Sequence, residues 1–305
     1  MPSANTPTSG QSISVSEIFN VFGSGNDPLG KTRDVNDYKG VTFYGSLYPF
    51  NQGRFTTTAP ISFSDFYDKT SSDPAPPGSS TDNTAGSNKS FTIPVFRNNI
   101  KFEIWGAGGG VGAADHDSVK ASGGSGGTSS IVINSSTLTA TGGGGGTSGY
   151  RYGNQNGSGG GGGTASNTGT FTTSTIVKTN GNSGGNGDAG GGTGANGGNA
   201  PNGGTGGTRG AHNINGKNGS PGRAPGGGGG SGGYSDFQSG KNANPNRAAG
   251  GSGGSGAYAS LTFTRAQITP GLVIRYTVGS GGAGSAGNLG NGAAGASGGF
   301  KATWS

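Results

Sequence analysis

Residues Gly25-Asn26-Asp27-Pro28-Leu29-Gly30-Lys31-Thr32 match the phosphate-cradling pattern G-x-x-x-x-G-K-[ST] letter for letter. Such a loop grips phosphate only between a buried strand and a helix whose first N–H groups face the ligand. Here it runs into Arg33-Asp34-Val35-Asn36-Asp37-Tyr38, which carries no amphipathic period, so the match is read as coincidence. Asp115-His116-Asp117 has the residue types of a metal site. His212 is the only other histidine, however, and no ligand spacing accompanies it, so a solvated turn is the simpler reading. Cysteine is absent, which removes disulfides and thiolate ligands. No G-x-S-x-G elbow stands between a strand and a helix, and no carboxylate pair is evident, so no catalysis, cofactor or metal is expected.

What remains distinctive is where large side chains break the small-residue runs. Large and polar residues interrupt the glycine runs at Tyr150-Arg151-Tyr152, at His212-Asn213-Ile214-Asn215 and at Tyr234-Ser235-Asp236-Phe237-Gln238. Aromatic and polar side chains on glycine-rich loops supply rigid contact area together with adaptable hydrogen bonding. Tyr150, Arg151, Tyr152, His212, Tyr234, Asp236 and Phe237 are the side chains that could make such contacts with a partner. The alternative is that these side chains pack on the body of their own domain.

Positioning such loops falls to an unusual scaffold. Only 27% of residues are hydrophobic and 74 of 305 are glycine, so an ordinary apolar core cannot account for the whole chain. Strands are predicted at Ser90–Val95, Ile100–Trp105, Ser130–Thr139, Thr170–Lys178, Ala257–Thr264, Leu272–Val278 and Gly299–Trp304. In Ile100-Lys101-Phe102-Glu103-Ile104-Trp105 the apolar residues alternate with others at the period of a half-buried strand, and Gly106-Ala107-Gly108-Gly109-Gly110 follows at once. Strand passing into glycine run is the recurring unit.

Within the runs, glycine recurs every third residue: Gly181-Gly184-Gly187-Gly190, then Gly191-Gly194-Gly197, Gly250-Gly253-Gly256, Gly281-Gly284-Gly287-Gly290 and Gly292-Gly295-Gly298. Three is the period of the polyproline II helix, which has no internal hydrogen bonds and points its N–H and C=O groups outward. With glycine on the contact faces, neighbouring backbones can approach and bond to one another. The expected fold is thus mainly β: a small β-sandwich or sheet scaffold with long glycine-rich loops packed as a polyglycine II helix bundle. A small irregular N-terminal docking region completes it.

That N-terminal region, residues 1–69, holds an internal repeat. Ile13-Ser14-Val15-Ser16-Glu17-Ile18-Phe19 and Ile61-Ser62-Phe63-Ser64-Asp65-Phe66-Tyr67 share one pattern, with a serine three residues before an acid as at a helix N-cap. Ile13, Val15, Ile18 and Phe19, with Ile61, Phe63, Phe66 and Tyr67, are the apolar positions expected to dock on a partner, the alternative being a small independent domain. Residues 70–88, rich in proline, serine and glycine, read as a linker to the glycine-rich domain of residues 89–305. Lys and Arg against Asp and Glu number 5 against 8 before Lys89 and 14 against 5 from there on, so the glycine-rich part is the basic one. Its positive residues are scattered singly, and no nucleic-acid partner is expected.

Certain stretches resemble a known family. Ser90-Phe91-Thr92-Ile93-Pro94, Phe102-Glu103-Ile104-Trp105-Gly106-Ala107-Gly108-Gly109-Gly110, Tyr276-Thr277-Val278-Gly279-Ser280-Gly281-Gly282 and the closing Gly299-Phe300-Lys301-Ala302-Thr303-Trp304 resemble the glycine-rich domain of tailed-bacteriophage tail and fibre proteins. In type the chain is similar to the distal adhesins of T-even-like long tail fibres, where a polyglycine II bundle presents variable loops to a host receptor. The resemblance implies a virion location in the tail or fibre, and it makes Tyr150, Arg151, Tyr152, His212, Tyr234, Asp236 and Phe237 the candidate receptor contacts. It also implies partners among other phage tail or fibre proteins, a host-surface receptor (a glycan or an outer-membrane protein), and homo-oligomerisation as an option. A purely structural virion component is the alternative, such as a baseplate, tail or head decoration protein. An ice-binding or cell-wall glycine-rich protein would leave the docking repeat unexplained.

Overall fold

A computed structural model describes residues 42–45, 52–54, 69–70, 77–96, 98–115, 122–150, 156–173, 175–188, 193–210, 218–235, 247–287 and 290–305. The apolar docking positions of both repeats, Ile13 to Phe19 and Ile61 to Tyr67, and the phosphate-loop match lie outside them. The first strands, β1 (Thr42–Gly45), β2 (Gln52–Arg54) and β3 (Lys69–Thr70), form an antiparallel sheet in the order β2-β1-β3. Then follow β4 (Gly78–Asp82), β5 (Gly86–Thr92), β6 (Asn99–Trp105), β7 (Ala114–Asp115), β8 (Ser129–Ile133), β9 (Ser136–Ala140), β10 (Gly149–Tyr150) and β11 (Ala165–Thr168). The remaining strands are β12 (Thr175–Thr179), β13 (Gly233–Ser235), β14 (Arg247–Ala249), β15 (Tyr258–Thr264), β16 (Val273–Val278) and β17 (Gly299–Trp304).

Two five-stranded antiparallel sheets, β12-β15-β6-β17-β4 and β11-β9-β8-β16-β5, share one apolar core. The alternation in β6 explains its place in it, because Ile100, Phe102 and Ile104 are fully buried while Lys101 and Glu103 lie on the other face. Ile131, Leu138 and Ile274 meet them from the second sheet, and Phe91 contacts both Phe102 and Phe300 with ring centroids 6.1 and 5.7 Å apart. Each such side chain contributes about 1.5–3 kcal/mol by leaving water.

The sheets correct the sequence reading in several places. The stretch taken as linker carries β4 and the start of β5. Gly78-Ser79-Ser80-Thr81-Asp82 has no large apolar residue, yet its main chain pairs along β17, and Asp82 is held by Lys89 at 2.7 Å and by the Tyr276 hydroxyl at 2.9 Å. The segment 130–139, predicted as one strand, is a hairpin that reverses at Asn134, whose φ of 54° suits the left-handed turn. Strand β12 begins at Thr175 rather than Thr170, and the polar strand β11 was not anticipated at all.

Beyond the sheets the glycine runs make a hydrogen-bonded lattice of main chain. Segment 106–114, continuing β6, donates from Gly106, Gly109 and Gly112 to the carbonyls of Ala257, Gly254 and Gly251 at 2.9, 2.9 and 3.2 Å. Ala107 and Gly110 donate to Gly127 and Gly124, and Gly108 donates to Ala296. The carbonyls of Ala107 and Gly110 accept from Gly143 and Gly146, that of Gly108 from Gly282, and that of Gly109 from Gly229. With a step of three residues, successive groups point in three directions, so this one segment is bonded to neighbours on six sides. Segments 226–232 and 249–257 are enclosed in the same way. Around these three closes a ring of segments, 122–128, 141–149, 157–163, 181–187, 195–200, 203–210, 219–223, 290–298 and 279–285, each bonded to the next.

Glycine is required by this spacing rather than by backbone dihedrals. A Cβ built on Gly109 would lie 2.0 Å from the Gly144 carbonyl oxygen, and one on Gly110 would lie 1.9 Å from that of Ala283. Where a neighbour is missing, short polar side chains stand in for it. The Asn186 carboxamide oxygen accepts from the Gly159 N–H at 2.8 Å, Asn199 from Gly206 at 2.7 Å and Asn196 from Arg209 at 2.9 Å. Inside, fully buried Ser252 donates to the carbonyl of Asn196 at 2.6 Å, and Ser255 accepts from the Asn182 N–H at 2.8 Å.

Candidate functional site

Eight strands hand over to glycine segments at one end of the sheets, as their registers show. Trp105 lies opposite both Tyr258 and Gly299, Tyr258 opposite Thr179, Ala140 opposite both Ser129 and Ala165, and Val278 follows the Thr277–Ser130 pair. The junction is fastened by side chains. The Trp105 indole N–H donates to the Pro201 carbonyl at 2.9 Å, and the Tyr258 hydroxyl donates to Glu103 at 2.7 Å, where Lys101 also binds at 2.7 Å. Burial pushes the Glu103 carboxyl up, but the hydrogen bonds from Lys101 and Tyr258 outweigh it and hold the group below the ordinary glutamate range.

The segments that leave this junction have their other described ends gathered at the far end of the lattice. There the described segments stop at positions 115, 150, 188, 210, 235 and 287 and resume at 122, 156, 193, 218, 247 and 290. Several of these ends touch one another. Strand β10 runs parallel to β7, with Tyr150 opposite Asp115, and Ala114 bridges to Gly290. Tyr234 of β13 pairs with Ala248 of β14, Asn156 bridges to Ala249, and buried Ala114 and Ala248 form a small apolar contact. The Gly210 N–H donates to the Ser231 carbonyl at 2.7 Å, just ahead of β13.

This surface brings together the places from which the sequence-predicted contacts arise. Tyr150 is half-buried on β10, and Tyr234 occupies the middle of β13. Arg151, Tyr152, His212, Asp236 and Phe237 lie outside the described residues, but positions 151–152 follow Tyr150, position 212 follows Gly210 and positions 236–237 follow Ser235. Sequence reasoning chose these residues as interruptions of the glycine runs and had no means of seeing that the three interruptions share one end. It also missed the asparagines and serines that finish the lattice. Their signal was present as polar residues spaced three apart beside the glycine frames, as in Asn196 and Asn199 or Ser252 and Ser255.

Among the described residues no cluster of histidine, cysteine, aspartate and glutamate is arranged to hold a metal ion. What the far end offers is a platform: a hydrogen-bonded main-chain lattice that brings the roots of several loops within hydrogen-bonding distance of one another. Comparison of the chain with protein-family models, with curated proteins and with solved structures finds no match.

Proposed function

We propose that the chain is a phage tail-fibre or tail-tip protein that recognises a host-surface receptor, a glycan or an outer-membrane protein, through the reversals at the far end of its lattice. The N-terminal region attaches it to other tail or fibre proteins. On this reading the glycine segments are polyglycine II helices, rising about 3.1 Å per residue, and the bundle serves to hold recognition loops away from the virion. The observation that carries the reading is the separation of ends. The chain enters the sheets at Gly78, opposite Trp304 and remote from the glycine junction, while Tyr150 and Tyr234 are rooted at the other extremity.

The test is adsorption by particles carrying changed chains. Tyr150→Ala with Tyr234→Ala is expected to lower adsorption while incorporation into the virion persists, and removal of residues 13–19 is expected to abolish incorporation. Full adsorption by the tyrosine variant, with incorporation still dependent on residues 13–19, would instead favour a purely structural virion component.

A further inference from the structure

At the end of the sheets opposite the lattice, a cavity of about 310 Å³ opens between the β8–β9 turn, the segment leading to β12 and the β15–β16 connection. Its floor is apolar, made by buried Ile133, Phe263 and Ile268, and the half-buried ring of Phe171 forms one wall. Among the described residues its rim is polar without being charged, since none of the Lys, Arg, Asp or Glu among them lines it, although the glycine-rich part of the chain is basic. Two rim groups are engaged by the protein itself: Ser136 donates to the Thr170 carbonyl at 2.7 Å, and Gln267 accepts from the Thr264 N–H at 2.8 Å. The side chains of Asn134, Ser135, Thr172 and Thr269 have no such partner within the described residues and keep their hydrogen-bonding capacity.

We propose that this cavity binds a neutral saccharide. An aromatic wall over an apolar floor suits the C–H face of a pyranose ring, and uncharged hydroxyl and carboxamide groups suit its hydroxyl edge. Absence of fixed charge among the described lining residues disfavours phosphorylated or uronic sugars, whose ionised groups would be desolvated without a partner. The volume lies at the lower bound of ligand pockets, about 300 Å³, and so fits a mono- or disaccharide. The site is independent of the reading given for the far end.

The experiment titrates the full-length protein with maltose, lactose and N,N′-diacetylchitobiose, observed by calorimetry and by NMR of the protein. At least one sugar is expected to bind in the millimolar range. Phe171→Ala removes the wall. Asn134→Gly removes the carboxamide while glycine keeps the positive φ of the turn. Each is expected to weaken binding at least about fivefold, Asn134→Gly at nearly unchanged Tm and Phe171→Ala at a lower one because its ring packs on the core, with Gly161→Ala as a control that leaves binding intact. Should Phe171→Ala fail to fold, Asn134→Gly still decides. Binding by none of the three sugars, or binding that both variants leave unchanged, overturns the proposal.

Discussion

Replacing Gly253 by alanine adds a single methyl group, and its consequence can be worked from the lattice. The new Cβ would sit 2.0 Å from the Gly109 carbonyl oxygen and 2.6 Å from its carbon. An acceptable carbon–oxygen contact is about 3.3 Å, so the two segments must separate by about 1.3 Å. Separation on that scale stretches the bonds from Gly109 to Gly254 at 2.9 Å, from Gly253 to Gly229 at 3.1 Å and from Gly198 to Gly253 at 3.0 Å. A net contribution of about 1 kcal/mol each, with the penalty of leaving buried groups unpaired, gives a loss of about 3–6 kcal/mol. Gly161 is the internal control. A Cβ there meets nothing within 4 Å, and its φ lies outside the left-handed region. Gly161→Ala should therefore be neutral or stabilise by about 0.4–1 kcal/mol through the unfolded chain. Thermal unfolding by calorimetry is the assay, with about 2–4 °C expected for each kcal/mol in a domain of this size. The reasoning fails if Gly253→Ala melts within a degree or two of Gly161→Ala, because backbone contact would then not be what stabilises the lattice.

Other outcomes follow from smaller features. Ser252→Ala should cost about 1–2 kcal/mol in the same assay, since it strips a buried donor from the Asn196 carbonyl. Burial, reinforced by Asp82, pushes the Tyr276 hydroxyl up to about 12. Its raised value adds stability that is complete below the unfolded tyrosine value of about 10 and is lost as pH climbs toward 12. Tm should thus fall across that window in the parent and fall less in Tyr276→Phe. Burial raises the Asp82 carboxyl, but hydrogen bonds from Lys89, the Thr84 N–H and Tyr276 outweigh it and the net direction is down. Its stabilisation is accordingly present above the ordinary aspartate value and vanishes as pH drops through the folded one, a fall in Tm that Asp82→Asn should remove. Truncation after Gly298 deletes β17 from between β6 and β4, exposing Phe102 and leaving β4 unpaired, and should yield protein with no cooperative melt.

The sequence made the large-side-chain parts of the sheets legible. Alternation located β6, β15 and β16 to within a residue, and β17 was predicted with the boundaries it has, because in each a run of apolar residues must face a core. It failed for β4 and β11, where Gly-Ser-Ser-Thr-Asp and Ala-Ser-Asn-Thr bring little but main chain to an edge, and edge pairing leaves no hydrophobic period to read. The glycine frames were visible as a spacing, and Gly181, Gly184 and Gly187 do donate in step, to Gly163, Gly160 and Gly157. Which segment lies beside which was not visible, since every glycine run offers the same groups and partners are chosen by where the sheets launch each segment. The same limit applied to the far end. Tyr150 and Tyr234 stand out as interruptions, but their shared location depends on an even count of passes between the junction and the tip.

A force applied at the reversals and resisted at Gly78 would run along the segments, while the bonds joining them lie crosswise to it. Such a load is shared by many bonds in shear rather than opening them one after another. If the segments are the polyglycine II helices proposed above, at about 3.1 Å per residue they can yield little length, and the enclosed 106–114, 226–232 and 249–257 are bonded to neighbours on six sides. The domain should therefore behave as a stiff strut under tension, failing at its terminal connections before its interior lengthens.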